Sequence, residues 1–91
     1  MAHSVSLSWT ASSDPVNGYN VYRSTKAGNK DTLVNTTTIT GTTFTDTTAT
    51  AGTWWYDVTA IENGVESAVS NSVEAVLLPA APTNLVLVSA N

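Results

Sequence analysis

The chain has 91 residues, which is enough for one small domain with a single hydrophobic core. It contains no cysteine, and this excludes disulfides, thiolate metal sites and a cysteine nucleophile. Three basic residues against seven acidic ones give a net charge of −4, and such a surface repels phosphate backbones, so we expect no nucleic-acid partner. We also expect no membrane partner, because no stretch approaches the roughly 18 apolar residues of a membrane span and no signal-peptide pattern opens the chain.

The first predicted strand is SVSLSWT, in which Val5, Leu7 and Trp9 alternate with serines. Alternation with a period of two is typical of a strand that is buried on one face, so these three side chains should face the core. Met1 and Ala2 look like an added start, since the alternating pattern begins directly after them. The stretch SSDPVNG that follows the strand has the composition of a turn.

A second strand is predicted in GYNVYRS, where Tyr19 and Val21 should face the core together with the stem of Arg23. Tyr22 then lies on the opposite face. The loop KAGNKD leads into a threonine-rich region that includes TLVN and TTFTD. β-Branched threonine favours strands and tolerates solvent, which suggests short strands whose single apolar residues, such as Leu33 and Phe44, point inward.

The longest predicted strand is TWWYDVTAI, in which Trp54, Tyr56 and Val58 share the inward face and Trp55 lies on the other. Asn-Gly within ENGVES predicts a hairpin turn, and SNSVEAVL is the returning strand. The predicted core is Val5, Leu7, Trp9, Tyr19, Val21, Phe44, Trp54, Tyr56 and Val58. Six or seven short strands separated by turns indicate an all-β, immunoglobulin-like sandwich of two sheets.

The order of the strand motifs resembles a fibronectin type III module, particularly the bacterial extracellular type. The motifs are LSWTAS for strand B, GYNVYRST for strand C, TTFTD for strand E, GTWWYDVTAI for strand F and NGVESAVSN for the turn into strand G. The resemblance implies a sandwich of seven strands and an extracellular or cell-surface location. It also implies a tyrosine corner at the start of strand F, where this chain has Trp54, whose indole N–H can donate one hydrogen bond.

Strand A of such a module should precede LSWTAS, yet only six residues stand there, whereas the C-terminal PAAPTNLVLVSAN looks like a strand A. We therefore interpret the chain as one module, with strands B to G in residues 3–76, a linker in 77–82 and a strand A equivalent in 83–89. The module would be phase-shifted, either as an array repeat with displaced boundaries or as a circular permutant. Whether such a permutation is natural or engineered stays open.

The displaced strand could return to its own module or pair with a neighbouring molecule. Returning requires a crossing on the order of 30 Å for strands of about nine residues. The connector LLPAAP reaches roughly 20 Å when fully extended, so strand G would have to be shortened. We therefore expect a homo-oligomer that exchanges strand A head to tail, as a ring or a fibre, through Leu85, Val86, Leu87 and Val88.

Catalysis has little support in the sequence, and we expect no enzyme, no cofactor and no metal. The single histidine, His3, stands at the start of the pattern, and no serine or threonine lies in a nucleophile motif. The seven carboxylates are scattered over loops and strand faces, and the two beside turns, Asp14 and Asp46, are expected to cap those turns.

The leading hypothesis is a non-catalytic structural or spacer module that associates by exchanging its C-terminal strand. The alternative is a carbohydrate-binding or protein-binding module that uses Trp55 and Tyr22, because rings exposed on one sheet face suit sugar stacking or a protein contact. The same two rings could instead pack across neighbouring strands and only shield the sheet. A polysaccharide and a second protein are therefore both considered as partners.

Overall fold

A computed structural model describes residues 3–90, so the interpretation of Met1 and Ala2 as an added start lies outside the described residues. The described residues form seven strands: β1 Val5–Ser8, β2 Gly18–Ser24, β3 Thr32–Leu33, β4 Thr43–Asp46, β5 Gly52–Glu62, β6 Val65–Glu66 and β7 Val73–Leu77. No helix in this part of the chain is long and apolar enough to cross a membrane.

The strands form two antiparallel sheets. β1 pairs with β4 in a two-stranded sheet. The second sheet has the order β3-β2-β5, and both β6 and β7 pair with the other edge of β5. The predicted all-β sandwich is therefore confirmed, with β1, β2, β4, β5 and β7 in the places expected for strands B, C, E, F and G. Segment 83–89 forms no strand within this chain, so its role as strand A stays a prediction.

The β5–β6 hairpin turns at the predicted Asn-Gly pair. Asn63 has a φ of 51° and Gly64 a φ of 82°. Both values lie in the left-handed region that two-residue hairpin turns require, and asparagine followed by glycine is the pair that adopts it most readily. The turn sets the register in which Ile61 lies opposite Glu66.

The core lies between the sheets and is built around two tyrosines and a valine. Tyr19, Val21 and Tyr56 are buried, and the ring of Trp9 meets that of Tyr19 edge to face at 5.5 Å. The other predicted core residues are half-buried: Val5, Leu7, Trp9, Phe44, Trp54 and Val58. Several of them stay partly accessible because the two-stranded sheet covers only part of its larger partner.

The side-chain direction predicted for Leu33 is wrong. Leu33 lies opposite Tyr22 in the β2–β3 pair and shares its outward direction, so its side chain is 51% exposed. The single apolar residue of a two-residue strand gives no alternation from which a face can be assigned. On the same outward face Asp57 and Thr59 are buried, because side chains from neighbouring segments cover them.

Candidate functional site

One edge of β1 is open. The amide of Trp9 donates to the carbonyl of Thr42 directly opposite, which makes this a hydrogen-bonded pair of the antiparallel ladder. Such pairs alternate along the strand, so the amides and carbonyls of Ser6 and Ser8 point away from β4. No strand of the described chain lies on that side. β1 therefore presents free backbone groups at this edge. The outward side chains beside them are small serines, and β1 carries no charged residue.

A groove opens beside this edge, between β1 and the segment 67–73. It consists of two adjoining clefts of about 200 and 70 Å³ that share Trp9 and Val58 in their walls. Tyr19 and Ala68 line the larger cleft, and Leu7 and Val73 line the smaller one. Trp9 Nε1 is buried here without a hydrogen-bond partner in the described chain. The groove is thus mainly apolar and contains one unsatisfied donor.

The C-terminal segment 83–89 extends away from the module. Its apolar side chains remain in solvent: Leu85 is 98% exposed, Val86 71%, Leu87 82% and Val88 91%. The chain accordingly measures 69 × 22 × 19 Å along its principal axes. The predicted strand-exchange residues are therefore together on one free segment, and they make no core contact within their own chain.

The tail leaves the module at the end where β1 begins. His3 Nε2 donates to the carbonyl of Leu78 at 2.7 Å, which places the residue after β7 beside the residues that precede β1. A strand antiparallel to β1 has to begin at the opposite end of the module, near Trp9. A tail that folded directly back along β1 would instead run parallel to it.

Sequence reasoning missed an ionic cluster between the two sheets. Asp46 of β4 accepts hydrogen bonds from Arg23 of β2 at 2.7 Å and from Tyr56 of β5 at 2.6 Å. Asp46 also accepts hydrogen bonds from the amide and the hydroxyl of Thr48, which agrees with the turn-capping role expected from the sequence. Burial would raise the pKa of Asp46, but the bonds from Thr48, Tyr56 and Arg23 outweigh it and hold that pKa below its ordinary value.

A second polar cluster lies on the outward face of the five-stranded sheet and is centred on Glu66. Its carboxylate accepts hydrogen bonds from Thr59 at 2.6 Å, from Tyr22 at 2.5 Å and from Lys30 at 3.0 Å. These bonds, led by that of Thr59, lower the pKa of Glu66 to about 2. No local sequence pattern predicts this cluster, because Tyr22 and Lys30 are separated from Glu66 by 44 and 36 positions in the sequence.

The two aromatic residues proposed for ligand binding lie on this outward face but differ in availability. The Tyr22 hydroxyl is engaged by Glu66, and the Lys30 ammonium lies 5.4 Å from the centre of the Tyr22 ring. Trp55 is half-buried and lies opposite Ser24 and Glu74 on the flanking strands. Tyr22 therefore offers no free ring face on the side where the cation lies, and the pair does not form an open platform.

The remaining chemistry-bearing side chains are dispersed. Within residues 3–90 no three histidine or acidic side chains come together as metal ligands. Asp57 is buried with one carboxylate oxygen unsatisfied, and this desolvation raises its pKa. The indole N–H of Trp54 donates to the carbonyl of Thr50 at 2.9 Å, so the residue in the corner position bonds to backbone four residues upstream.

Among solved structures, the chain is similar to a protein described as Fn3-like. The crystal structure of a Fn3-like protein from Clostridium thermocellum matches it with 40% sequence identity and a TM-score of 0.67. The match covers 88% of this chain and 81% of that chain. No family model matches the sequence, and no curated protein does.

Proposed function

We propose that this chain, which belongs to the fibronectin type III family, is a structural module that associates head to tail. In each contact, segment 83–89 of one copy pairs with the open edge of β1 in the next copy, and Leu85 and Leu87 fill the groove beside it. The family's fold is typically non-catalytic and serves structural or binding roles, which agrees with such a module.

The observation that carries the proposal is the exposure of four consecutive apolar side chains, Leu85 to Val88, on a free segment. Contiguous apolar side chains in solvent mark interaction surfaces in soluble proteins. This segment has no charge and no proline after Pro82, so it lacks the usual features that keep a strand from pairing.

The receiving surface has the complementary properties. The open edge of β1 offers the amides and carbonyls of Ser6 and Ser8 for backbone pairing, and the groove beside it offers apolar walls. Addition of an extended segment to a sheet edge obtains affinity from main-chain hydrogen bonds and specificity from pockets for alternate side chains. A second copy of the chain carries such a segment.

The direction of the tail favours exchange between copies over closure within one chain. The tail leaves beside His3, at the end of the module where β1 begins. An antiparallel partner of β1 must enter from the other end. A neighbouring copy placed end to end presents its tail there, so each contact joins opposite ends of two molecules and is heterologous.

Light scattering after size exclusion over a range of concentrations tests the proposal. The full chain should show a mass that rises with concentration or corresponds to a ring. A variant that ends at Pro82 should remain a soluble monomer, because the exposed tail contributes nothing to the fold of its own module. This variant should also unfold at lower denaturant than the assembled full chain, since its groove stays empty.

A full-length control separates loss of the tail from loss of its apolar side chains. Leu85→Asp combined with Leu87→Asp keeps the length of the chain and should also give a monomer. The proposal fails if the full chain is a monomer at every concentration, or if the variant ending at Pro82 forms the same oligomer as the full chain.

Three further hypotheses stay predictions. A carbohydrate-binding or protein-binding role for Trp55 and Tyr22 has less support, since Glu66 and Lys30 already engage Tyr22. Tryptophan fluorescence titration with soluble and insoluble polysaccharides tests the sugar version, with Trp55→Ala as the control, and unchanged emission would reject it. An extracellular location and a circular permutation likewise stay predictions from the family resemblance and the strand order.

A further inference from the structure

We infer that the exchanged segment docks in one register, with Leu85 opposite Trp9 and Leu87 opposite Leu7 of the neighbouring copy. This inference rests on the proposed strand exchange. It specifies which side chain enters which part of the groove and which backbone groups pair, and these properties determine what sequence the module can accept as a partner strand.

Either the odd-numbered or the even-numbered side chains of the docked segment face the groove. Residues opposite each other in an antiparallel pair point to the same face, so the inward side of β1 requires inward partners. If the even-numbered residues faced inward, either Asn84 would lie opposite Trp9 in the apolar groove, which is unfavourable, or Val86 and Val88 would enter the clefts and leave the larger side chains of Leu85 and Leu87 in solvent. With the odd-numbered residues inward, Asn84 stays in solvent and Leu85 and Leu87 enter.

The sizes and positions of the two clefts determine where the two leucines lie along β1. The larger cleft, about 200 Å³, lies at Trp9, and the smaller one, about 70 Å³, lies at Leu7. Leu85 opposite Trp9 and Leu87 opposite Leu7 give each cleft one leucine. A shift by two residues would put Leu87 opposite Val5, which lines neither cleft.

A shift by two residues in the opposite direction is also unfavourable. It would place Leu85 opposite Ala11, beyond the strand, and Ser89 opposite Leu7 in the apolar groove. Only the inferred register therefore places two leucines in the two clefts.

The proline at the start of the segment supports the same register. Even-numbered residues of the segment carry the backbone groups that point at β1, because they lie opposite Ser6 and Ser8. Pro82 has no amide proton and cannot contribute to this ladder. In the inferred register Pro82 lies opposite Ser12, beyond the end of β1, whereas a shift by two residues would bring it opposite Thr10, next to the paired residues.

Two consequences follow for the docked segment. Val86 forms a hydrogen-bonded pair with Ser8, and Val88 forms one with Ser6, with all four side chains on the outer face of the sheet. Asn84, which has a φ of 59° in the free tail, becomes extended when the segment docks. The extended conformation is sterically allowed for asparagine, so this change is accessible.

Cysteine crosslinking tests the register, and the chain has no cysteine of its own to interfere. The variants S8C and V86C are prepared separately, mixed and oxidised, so that any mixed disulfide joins two molecules. Cα atoms of a hydrogen-bonded antiparallel pair lie about 5.5 Å apart, within the range that a disulfide spans. The S6C variant mixed with V86C is the matched control, because in the inferred register these positions are offset by two residues and exceed that range.

We expect the mixture of S8C and V86C to give a reducible covalent dimer at about tenfold the yield of S6C and V86C. A second matched pair, S6C with V88C, should crosslink as well as S8C with V86C. Each cysteine variant alone gives the background, and circular dichroism checks that each is folded, which their exposed positions favour.

The outcomes separate the register from the exchange itself. If the unmodified chain assembles by light scattering but S6C crosslinks to V86C better than S8C does, the register is overturned and strand exchange survives. If the unmodified chain assembles and no pair crosslinks above background, the inferred pairing is wrong. If the unmodified chain is a monomer, the proposed function has failed, and this inference fails with it.

Discussion

Tyr56 donates a hydrogen bond of 2.6 Å to the Asp46 carboxylate, and this bond joins the five-stranded sheet to the two-stranded sheet. Arg23 pairs with the same carboxylate at 2.7 Å, and the Asp46 side chain is only 1% exposed. Asp46 also raises the pKa of Tyr56, second to the effect of burial, so the tyrosine remains a donor at all ordinary pH values. The sandwich is thus held together by a polar contact as well as by apolar packing.

Removing the carboxylate of Asp46 should destabilise the module strongly. Asp46→Ala leaves the Arg23 guanidinium, whose side chain is 13% exposed, without its ion pair, and we expect a loss of about 3 kcal/mol in the free energy of unfolding. Urea denaturation of the variant that ends at Pro82 measures this loss without interference from assembly. Asp31→Ala is the matched control, since Asp31 is exposed, and it should change stability by less than about 0.5 kcal/mol. Equal effects of the two substitutions would contradict the structural role of Asp46.

The stability of the module should fall in acid, and Glu66 should be responsible for part of this fall. The pKa of Glu66 is lowered from 4.5 to about 2 in the folded chain. A group with a lowered folded pKa stabilises the fold above its unfolded pKa, and this contribution is lost as the pH falls through the folded value. The free energy of unfolding should therefore decrease between pH 4.5 and pH 2.

Glu66→Gln is the variant that isolates this contribution. It should be less stable than the parent chain at neutral pH and should lose less stability between pH 4.5 and pH 2. The lowered pKa of Asp46 leaves some acid sensitivity in place, while the raised pKa of Asp57 acts in the opposite direction. Urea denaturation at several pH values measures the profile, and an identical pH profile in parent and variant would rule out the role of Glu66.

The sequence was sufficient for the strands but not for the polar clusters. Alternation of apolar and polar residues places Val5, Leu7 and Trp9 on one face because a strand has a fixed period of two. The contact between Tyr22 and Glu66, by contrast, joins residues that are 44 positions apart. Whether two distant polar residues meet depends on the pairing of several strands, and no local pattern encodes that pairing.

The groove beside β1 was only partly predictable for a similar reason. The sequence indicates that residues 83–89 could complete the sandwich. An open sheet edge is therefore expected wherever this segment does not pair within its own chain. Its unsatisfied indole at Trp9 and its two clefts depend on how the segment 67–73 packs against β5. That segment contains mostly serine, alanine and valine, whose pattern fixes no single conformation.

Trp54 should stabilise the module through its indole N–H. It donates to the Thr50 carbonyl at 2.9 Å, and the Arg23 guanidinium lies 5.0 Å from the centre of its ring. Trp54→Phe removes the hydrogen bond and weakens the cation–π contact. We therefore expect the free energy of unfolding to fall by about 1 to 2 kcal/mol. Trp55→Phe on the opposite face is the control, because Trp55 forms no side-chain hydrogen bond within the described residues. A loss as large in the control would indicate that ring size, not the indole donor, is what matters.

Gly18 should tolerate no side chain. A Cβ atom added there would contact Thr38 Cγ2 and would lie 2.6 Å from the carbonyl oxygen of Ile39, which accepts the Tyr19 amide. Gly18→Ala should therefore displace this backbone and cost about 1 to 3 kcal/mol. Gly41→Ala is the control, since nothing lies within 4 Å of its added Cβ, and its stability should match that of the parent. Thermal unfolding measures the stability of both variants against that of the parent chain. A Gly18→Ala variant as stable as the parent would contradict the close approach at Ile39.

Ser8→Pro should prevent assembly without disturbing the module. The Ser8 amide points to the open edge of β1, so replacing it by proline removes no hydrogen bond to β4. Proline is tolerated at such edge positions but cannot donate to an added strand. Full-length Ser8→Pro should therefore be a monomer at concentrations where the parent assembles, whereas Ser8→Ala should assemble like the parent. In the background that ends at Pro82, Ser8→Pro should unfold within about 1 kcal/mol of its parent, which excludes misfolding as the cause. Assembly of Ser8→Pro at parental concentrations would mean that the tail does not pair with this edge.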